Sequence, residues 1–95
     1  MSSKDAYVQK LHAKLDEWNA QIDKMKAKAD QAEADSRIEY NKRIGELREK
    51  RSETKEKLEA LREAGEGAWE DLKSGVQLAV ESMEQALNSA KARFK

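Results

Sequence analysis

His12 and Asp16 are two residues whose types and spacing could do chemistry. Four apart on a helix, they share a face one turn apart, where an imidazole and a carboxylate could hold a metal ion weakly. A zinc site takes three or four protein ligands, and His12 is the only histidine of the chain. There is no cysteine, which excludes a thiolate zinc site, a Cys nucleophile and a disulfide. No Glu-x-x-His pair of the kind that builds di-iron sites in bundles is present. Gly65-Glu66-Gly67 is too short for a phosphate-cradling loop and reads as a helix connector. Serines, aspartates and His12 occur, but no spacing sets them out as a nucleophile, base and orienter. The expectation is a chain with no catalytic residue, no metal ligand and no cofactor, and hence not an enzyme.

The elements that would have to position any site are helices. Of the 95 residues 40% are charged and only 5% aromatic, and the bias toward Ala, Glu, Lys, Leu and Arg is that of long helices and coiled coils. An apolar fraction of 38% is low for a broad core. It suffices for a seam that needs two or three apolar positions in seven. The formal net charge is zero, and no third of the chain is strongly basic, so nothing favours nucleic acid, which is bound by displacing counterions from its phosphates. No apolar run is long enough to span a bilayer. Ser2-Ser3-Lys4-Asp5 leads straight into an amphipathic pattern rather than a signal peptide, so the expected location is the cytoplasm.

Proline is absent, and Ala64-Gly65-Glu66-Gly67 is the one strong stop signal, since Gly admits φ > 0 and ends helices. Before it, Ser2 and Ser3 are candidate caps and Asp5 meets the helix dipole. A seam then runs Leu11, Leu15, Trp18, Ile22, Met25, Ala29, Ala32, alternating steps of four and three as heptads do, with Tyr7 extending it backwards. The rhythm slips between Ala29 and Ile44, which lie one residue more than two heptads apart. Either one helix absorbs the skip, or Ser36 and Glu39 form a capping box that opens a new helix. Alanines at 27, 29, 32 and 34 and the lack of Gly or Pro favour continuity. The seam resumes at Ile44, Leu47, Arg51, Thr54, Leu58 and Leu61, with Tyr40 before it. Glu39 with Arg43, Glu46 with Lys50 and Glu53 with Lys57 are four apart, each pair worth ~0.2–0.5 kcal/mol to a solvated helix. After the turn the most apolar helix reads Trp69, Leu72, Val76, Val80, Met83, Leu87, Ala90, Phe94, with Ala79 and Ala86 widening the stripe. Gly45 and Gly75 lie inside helical patterns, each costing ~1 kcal/mol relative to Ala.

These segments predict a single all-α domain over residues 1–95: a long helix over 3–63, a turn at 64–67 and a second helix over 68–94. About 27 residues at ~1.5 Å each make a second helix of roughly 40 Å. Folded back from Gly65 and Gly67, it reaches only to about Ile38. Ile44, Leu47, Leu58 and Leu61 then pack against Trp69, Leu72, Val76, Val80, Met83, Leu87 and Phe94 in an antiparallel hairpin. Leu11, Leu15, Trp18, Ile22 and Met25 are left bare, and an exposed stripe of that kind marks an interface. The favoured architecture is therefore a hairpin that self-associates into a helical bundle, a homo-oligomer. The alternative is a monomeric three-helix bundle with an extra turn near Asp35-Ser36.

Three stretches carry a likeness: Lys4-Asp5-Ala6-Tyr7-Val8, Leu15-Asp16-Glu17-Trp18-Asn19-Ala20, and above all Ala68-Trp69-Glu70-Asp71-Leu72-Lys73-Ser74-Gly75-Val76. Through them nearly the whole chain resembles a family of short bacterial coiled-coil proteins, about this length, often labelled stress-response proteins. The resemblance implies a soluble bacterial protein and supplies no catalytic residue to carry over. The expected function is that of a non-enzymatic structural or interaction protein, linked to stress, acting through self-association or a partner helix. A membrane-surface module is the runner-up, because residues 68–94 form an amphipathic helix with Trp69 and Phe94 at its ends and Lys91, Arg93 and Lys95 close by. Glu70, Asp71, Glu81 and Glu84 on its polar face weaken the attraction to anionic lipid.

Overall fold

A composition of strong helix formers gives three helices and no strand in the computed structural model, which describes residues 2–94. α1 is Ser3–Gln31, α2 Ala34–Glu63 and α3 Trp69–Arg93. The all-α helical bundle is the expected class. Within it the helix expected over 3–63 is broken, and the three helices run up, down and up around one core. The longest dimension is 51 Å, whereas an unbroken helix over 3–63 would extend roughly 90 Å at ~1.5 Å per residue.

The break falls at Ala32-Glu33, whose backbones are extended at ψ 161° and 158°, three residues before Ser36. Ser36 lies inside α2, and Glu39 pairs with Arg43 at 3.3 Å rather than reaching back to a cap. The connection satisfies its own polar groups. The Ala32 N–H donates to the Ala29 carbonyl, the Arg37 N–H to the Glu33 carbonyl, and the Arg37 guanidinium to the Ala32 carbonyl. Helix propensity favoured continuity, but propensity is worth only tenths of a kcal/mol per residue. Turning the chain here buries seven side chains of α1, and a fully buried Leu, Ile or Met is worth about 1.5–3 kcal/mol.

The residues expected as an oligomer seam, Leu11, Leu15, Trp18, Ile22 and Met25, are therefore covered by the chain's own α2 and α3, with Ile22 at 0% exposure. No second copy is needed to cover them. The α1 seam continues backwards through buried Val8 rather than through half-buried Tyr7, because the alternation of three and four leads from Leu11 to residue 8. Ile44, Leu47, Leu58, Leu61, Trp69, Val76, Met83, Leu87 and Phe94 are buried as expected, and half-buried Val80 packs against them. Thr54, a polar residue at a seam position, is buried with its hydroxyl donating to the Lys50 carbonyl at 2.9 Å.

Leu72 departs from the expected seam and is 41% exposed. Strict alternation from Trp69 passes through residue 73, then 76, 80, 83, 87, 90 and 94. Lys73 therefore holds the inward position. Its ammonium lies 5.1 Å from the centroid of the Tyr7 ring and 5.6 Å from that of Trp69, where the negative faces of both rings attract it.

The second connection lies where the glycines place it, between Glu63 and Trp69, but for another reason. Neither Gly65 nor Gly67 has a positive φ. The end of α2 is capped instead by Lys4, whose ammonium donates to the Arg62 carbonyl at 3.0 Å and to the Ala64 carbonyl at 2.8 Å. A cation on the last carbonyls also opposes the negative end of the helix dipole. α1 is capped by Ser2, whose hydroxyl accepts from the Asp5 N–H at 3.2 Å.

Candidate functional site

α1 and α2 bring His12 into a cleft of about 450 Å³ with Leu15, Asp16, Asn19, Arg51, Ser52 and Lys55. The imidazole Nε2 lies 3.7 Å from Glu59 Oε1, across the helix pair. Asp16 and Ser52 share the cleft, yet no hydrogen bond among the described residues links either of them to His12. Arg51 instead donates to the side-chain carbonyl of Asn19. A nucleophile–base relay needs those contacts. Among the described residues no three His, Asp or Glu side chains converge in a way that could hold a metal ion.

At the end of the bundle that holds the second connection, Tyr7 and Trp69 meet at 6.1 Å between ring centroids. The Tyr7 hydroxyl is out of contact with water and has no hydrogen-bond partner among the described residues. Burial pushes the phenol above its ordinary 10.0, because an apolar setting disfavours the phenolate. The stability consequence has a definite sign. Folding favours the neutral phenol, so its contribution is intact below about pH 10 and is lost as the pH rises through the folded value. We expect wild-type stability to drop between pH 9 and 11 by more than that of Tyr7→Phe, which keeps the ring and removes the titration. Parallel chemical denaturation of the two proteins across that range checks this, and equal losses would disprove it.

α3 carries a wider apolar arc than the core uses. Trp69 and Phe94, expected at the ends of a lipid-facing stripe, are buried at 5% and 3% exposure. Lys91 and Arg93 are exposed, and Lys95 lies outside the described residues. Beside the buried seam runs a second strip of Leu72, Gly75, Leu78, Ala79 and Ala86, on the flank of α3 that borders α2. Leu78 is 66% exposed there and lines a shallow cleft with Lys50, Thr54 and Ser82. A Cβ at Gly75 would meet nothing within 4 Å. Lys50, expected to pair with Glu46, donates to the Ser82 hydroxyl at 3.0 Å.

The opposite flank of α3 faces α1. α2 packs along both neighbours, while the backbones of α1 and α3 approach only marginally, and an open groove runs between them. Sequence reasoning overlooked Lys4, Lys73 and Val8. For Val8 and Lys73 the signal was the unbroken alternation of steps, which names those positions directly. For Lys4 there was none, because its partners lie about 60 residues away. Comparison with family models, with curated proteins and with solved structures finds no match for this chain. No helix among the described residues is long and apolar enough to cross a membrane.

Proposed function

We propose that this chain is a non-enzymatic interaction protein of the bacterial cytoplasm, linked to stress, that works by helix–helix association with a second copy of itself through the outer arc of α3. The observation that carries this reading is Leu78, 66% exposed in a chain that buries most of its large apolar side chains. Leu72 and the open space over Gly75 extend the same strip. Small residues beside exposed leucines give a partner helix both close approach and apolar area to bury. The bacterial, cytoplasmic and stress-linked parts rest on the resemblance of the segments around Tyr7, Trp18 and Trp69.

Sedimentation equilibrium of the wild type and of Leu72→Asp/Leu78→Asp tests the association. The expected outcome is a wild-type mass above 10.8 kDa that rises with concentration, and a variant that stays at the monomer mass with unchanged helical circular dichroism. A wild type that is monomeric at every concentration would overturn the self-association reading. A variant that still associates would move the interface to another face.

A further inference from the structure

The two connections of the bundle differ in kind. Between α2 and α3 the chain passes through Gly65 and Gly67, and Lys4 caps the end of α2. Between α1 and α2 it passes through Ala32 and Glu33 alone. Both are good helix formers, and residues 1–44 contain neither Gly nor Pro. α2 starts without a side-chain cap, so its first-turn N–H groups lack the partners that a continuous helix would supply.

Straightened into helix, this connection would join α1 and α2 into one rod of roughly 90 Å at ~1.5 Å per residue. The apolar faces of the two halves would then coincide. Leu11 and Leu47, Ile22 and Leu58, and Met25 and Leu61 are each 36 positions apart, which is ten turns at ~3.6 residues per turn. One stripe would run the length of the rod, and a single copy has only the 25 residues of α3 to lay against it. α1 is also the element most easily exchanged. It packs along α2 and approaches α3 only marginally. Its polar ties to the rest of the bundle include Lys14 to Glu84 at 2.8 Å and Lys28 to the Phe94 carbonyl at 3.1 Å. The α1 of a second copy can make them equally well.

We propose that two copies of this chain exchange α1. The Ala32-Glu33 connection becomes helical in both, the two rods lie antiparallel, and each α1 takes on its partner the place it leaves on its own chain. A short connection invites such exchange. The exchanged helix makes the same contacts in both states, so Ile22 and Leu58 stay enclosed. The two states differ in the connection and in the entropy of association. The Leu78 strip plays no part in the junction.

Ala34→Pro separates the two states. Ala34 is the first residue of α2, where a proline's fixed φ suits the helix and its missing N–H is an orphan in any case. Glu33 before it already has φ −63° and ψ 158°, the extended conformation that a following proline favours. The monomer therefore accepts the substitution. In the rod the ring falls in a helix interior, where it removes a hydrogen bond and clashes with the Asp30 carbonyl. Inserting Gly-Gly between Ala32 and Glu33 opposes the rod by a second route, because glycine disfavours helix.

The experiment uses the Leu72→Asp/Leu78→Asp chain, so that association through the strip does not contribute. The protein is unfolded, refolded at high concentration, diluted and separated by size, and each species is measured by solution X-ray scattering. The expected result is a second species of twice 10.8 kDa. Its longest dimension is roughly 90 Å, against 51 Å for the monomer, and it reverts only slowly because α1 must unpack. Ala34→Pro in the same background should lower the yield of that species about a hundredfold or more, with helical circular dichroism unchanged. The Gly-Gly insertion should lower it too. A monomer alone after refolding, a dimer no longer than about 51 Å, or a dimer that survives both changes to the connection would overturn the exchange. None of these outcomes bears on association through Leu72 and Leu78, which every sample lacks.

Discussion

Ile22→Asp leaves this chain without a cooperatively folded state at pH 7. Ile22 is fully enclosed at 0% exposure, in the middle of the α1 seam. Removing the isoleucine alone should cost about 2–5 kcal/mol, as large-to-small core changes do. Burying a carboxylate without a partner adds several kcal/mol more after relaxation. A domain of this size has about 5–15 kcal/mol in all, so the sum is comparable with the whole. The effect has a pH signature of definite sign. Burial raises the carboxyl pKa of the folded form above the unfolded value of about 3.9. The charge penalty is therefore absent below that value and grows as the pH rises from it toward the raised folded value. Thermal melts followed by far-ultraviolet circular dichroism should show no transition at pH 7 and partial recovery near pH 3. The same substitution separates the two architectures. In a long hairpin Ile22 would lie between copies, and the variant would be a folded monomer with a near-normal melt. That outcome would return residues 11–25 to an interface.

Gly45→Ala with Gly75→Ala raises the melting temperature by roughly 8–16 °C. Each glycine lies inside a helix, neither has a positive φ, and a Cβ at either would meet nothing within 4 Å. Each replacement then recovers the ~1 kcal/mol by which glycine lags alanine in a helix interior. The gain arises from fewer conformations in the unfolded chain rather than from new contacts. For a domain of this length, 1 kcal/mol is worth about 4–8 °C. A fall in melting temperature would mean that one glycine meets a neighbour the single chain does not contain. Gly75 is the instructive one, because it lies on the exposed strip with Leu78. Gly75→Ala alone should stabilise the monomer, and if it also weakens self-association, the open space over Gly75 is where a second helix approaches. Gly45→Ala should stabilise without that second effect.

The helices themselves were legible because their signals are local. The seam from Leu11 to Met25, the resumed seam at Ile44 and Leu47, and the third from Trp69 to Phe94 are spacings within single elements. Spacing of three and four selects one face of a helix wherever that face ends up. The connection at Gly65-Gly67 was legible as a place where helices stop. Its mechanism was not, because the Lys4 cap joins residues about 60 positions apart in the sequence. The inward place of Lys73 was written in the alternation. It was obscured because a lysine at a seam position reads as polar until the rings that receive its ammonium, Tyr7 and Trp69, are seen beside it. His12 and Asp16 were legible as neighbours, whereas Ser52 reaches their cleft, and Glu59 the His12 imidazole, only through the packing of α2 on α1.

By itself the sequence determined that this protein is all-helical, which face of each helix is apolar, and that the chain turns between α2 and α3. Those properties follow from propensity and periodicity, which act within a few turns of backbone. Only the tertiary structure decided whether α1 and α2 are one helix or two. Around Ala32-Glu33 the local preferences are nearly balanced, with alanines for continuity and a slipped heptad against it. Burying Leu11, Leu15, Trp18, Ile22 and Met25 in a core shared with α2 and α3 outweighs a few lost helical hydrogen bonds. That burial also decided which surfaces remain. It covered the seam that had suggested an interface and exposed Leu72 and Leu78 on one flank of α3.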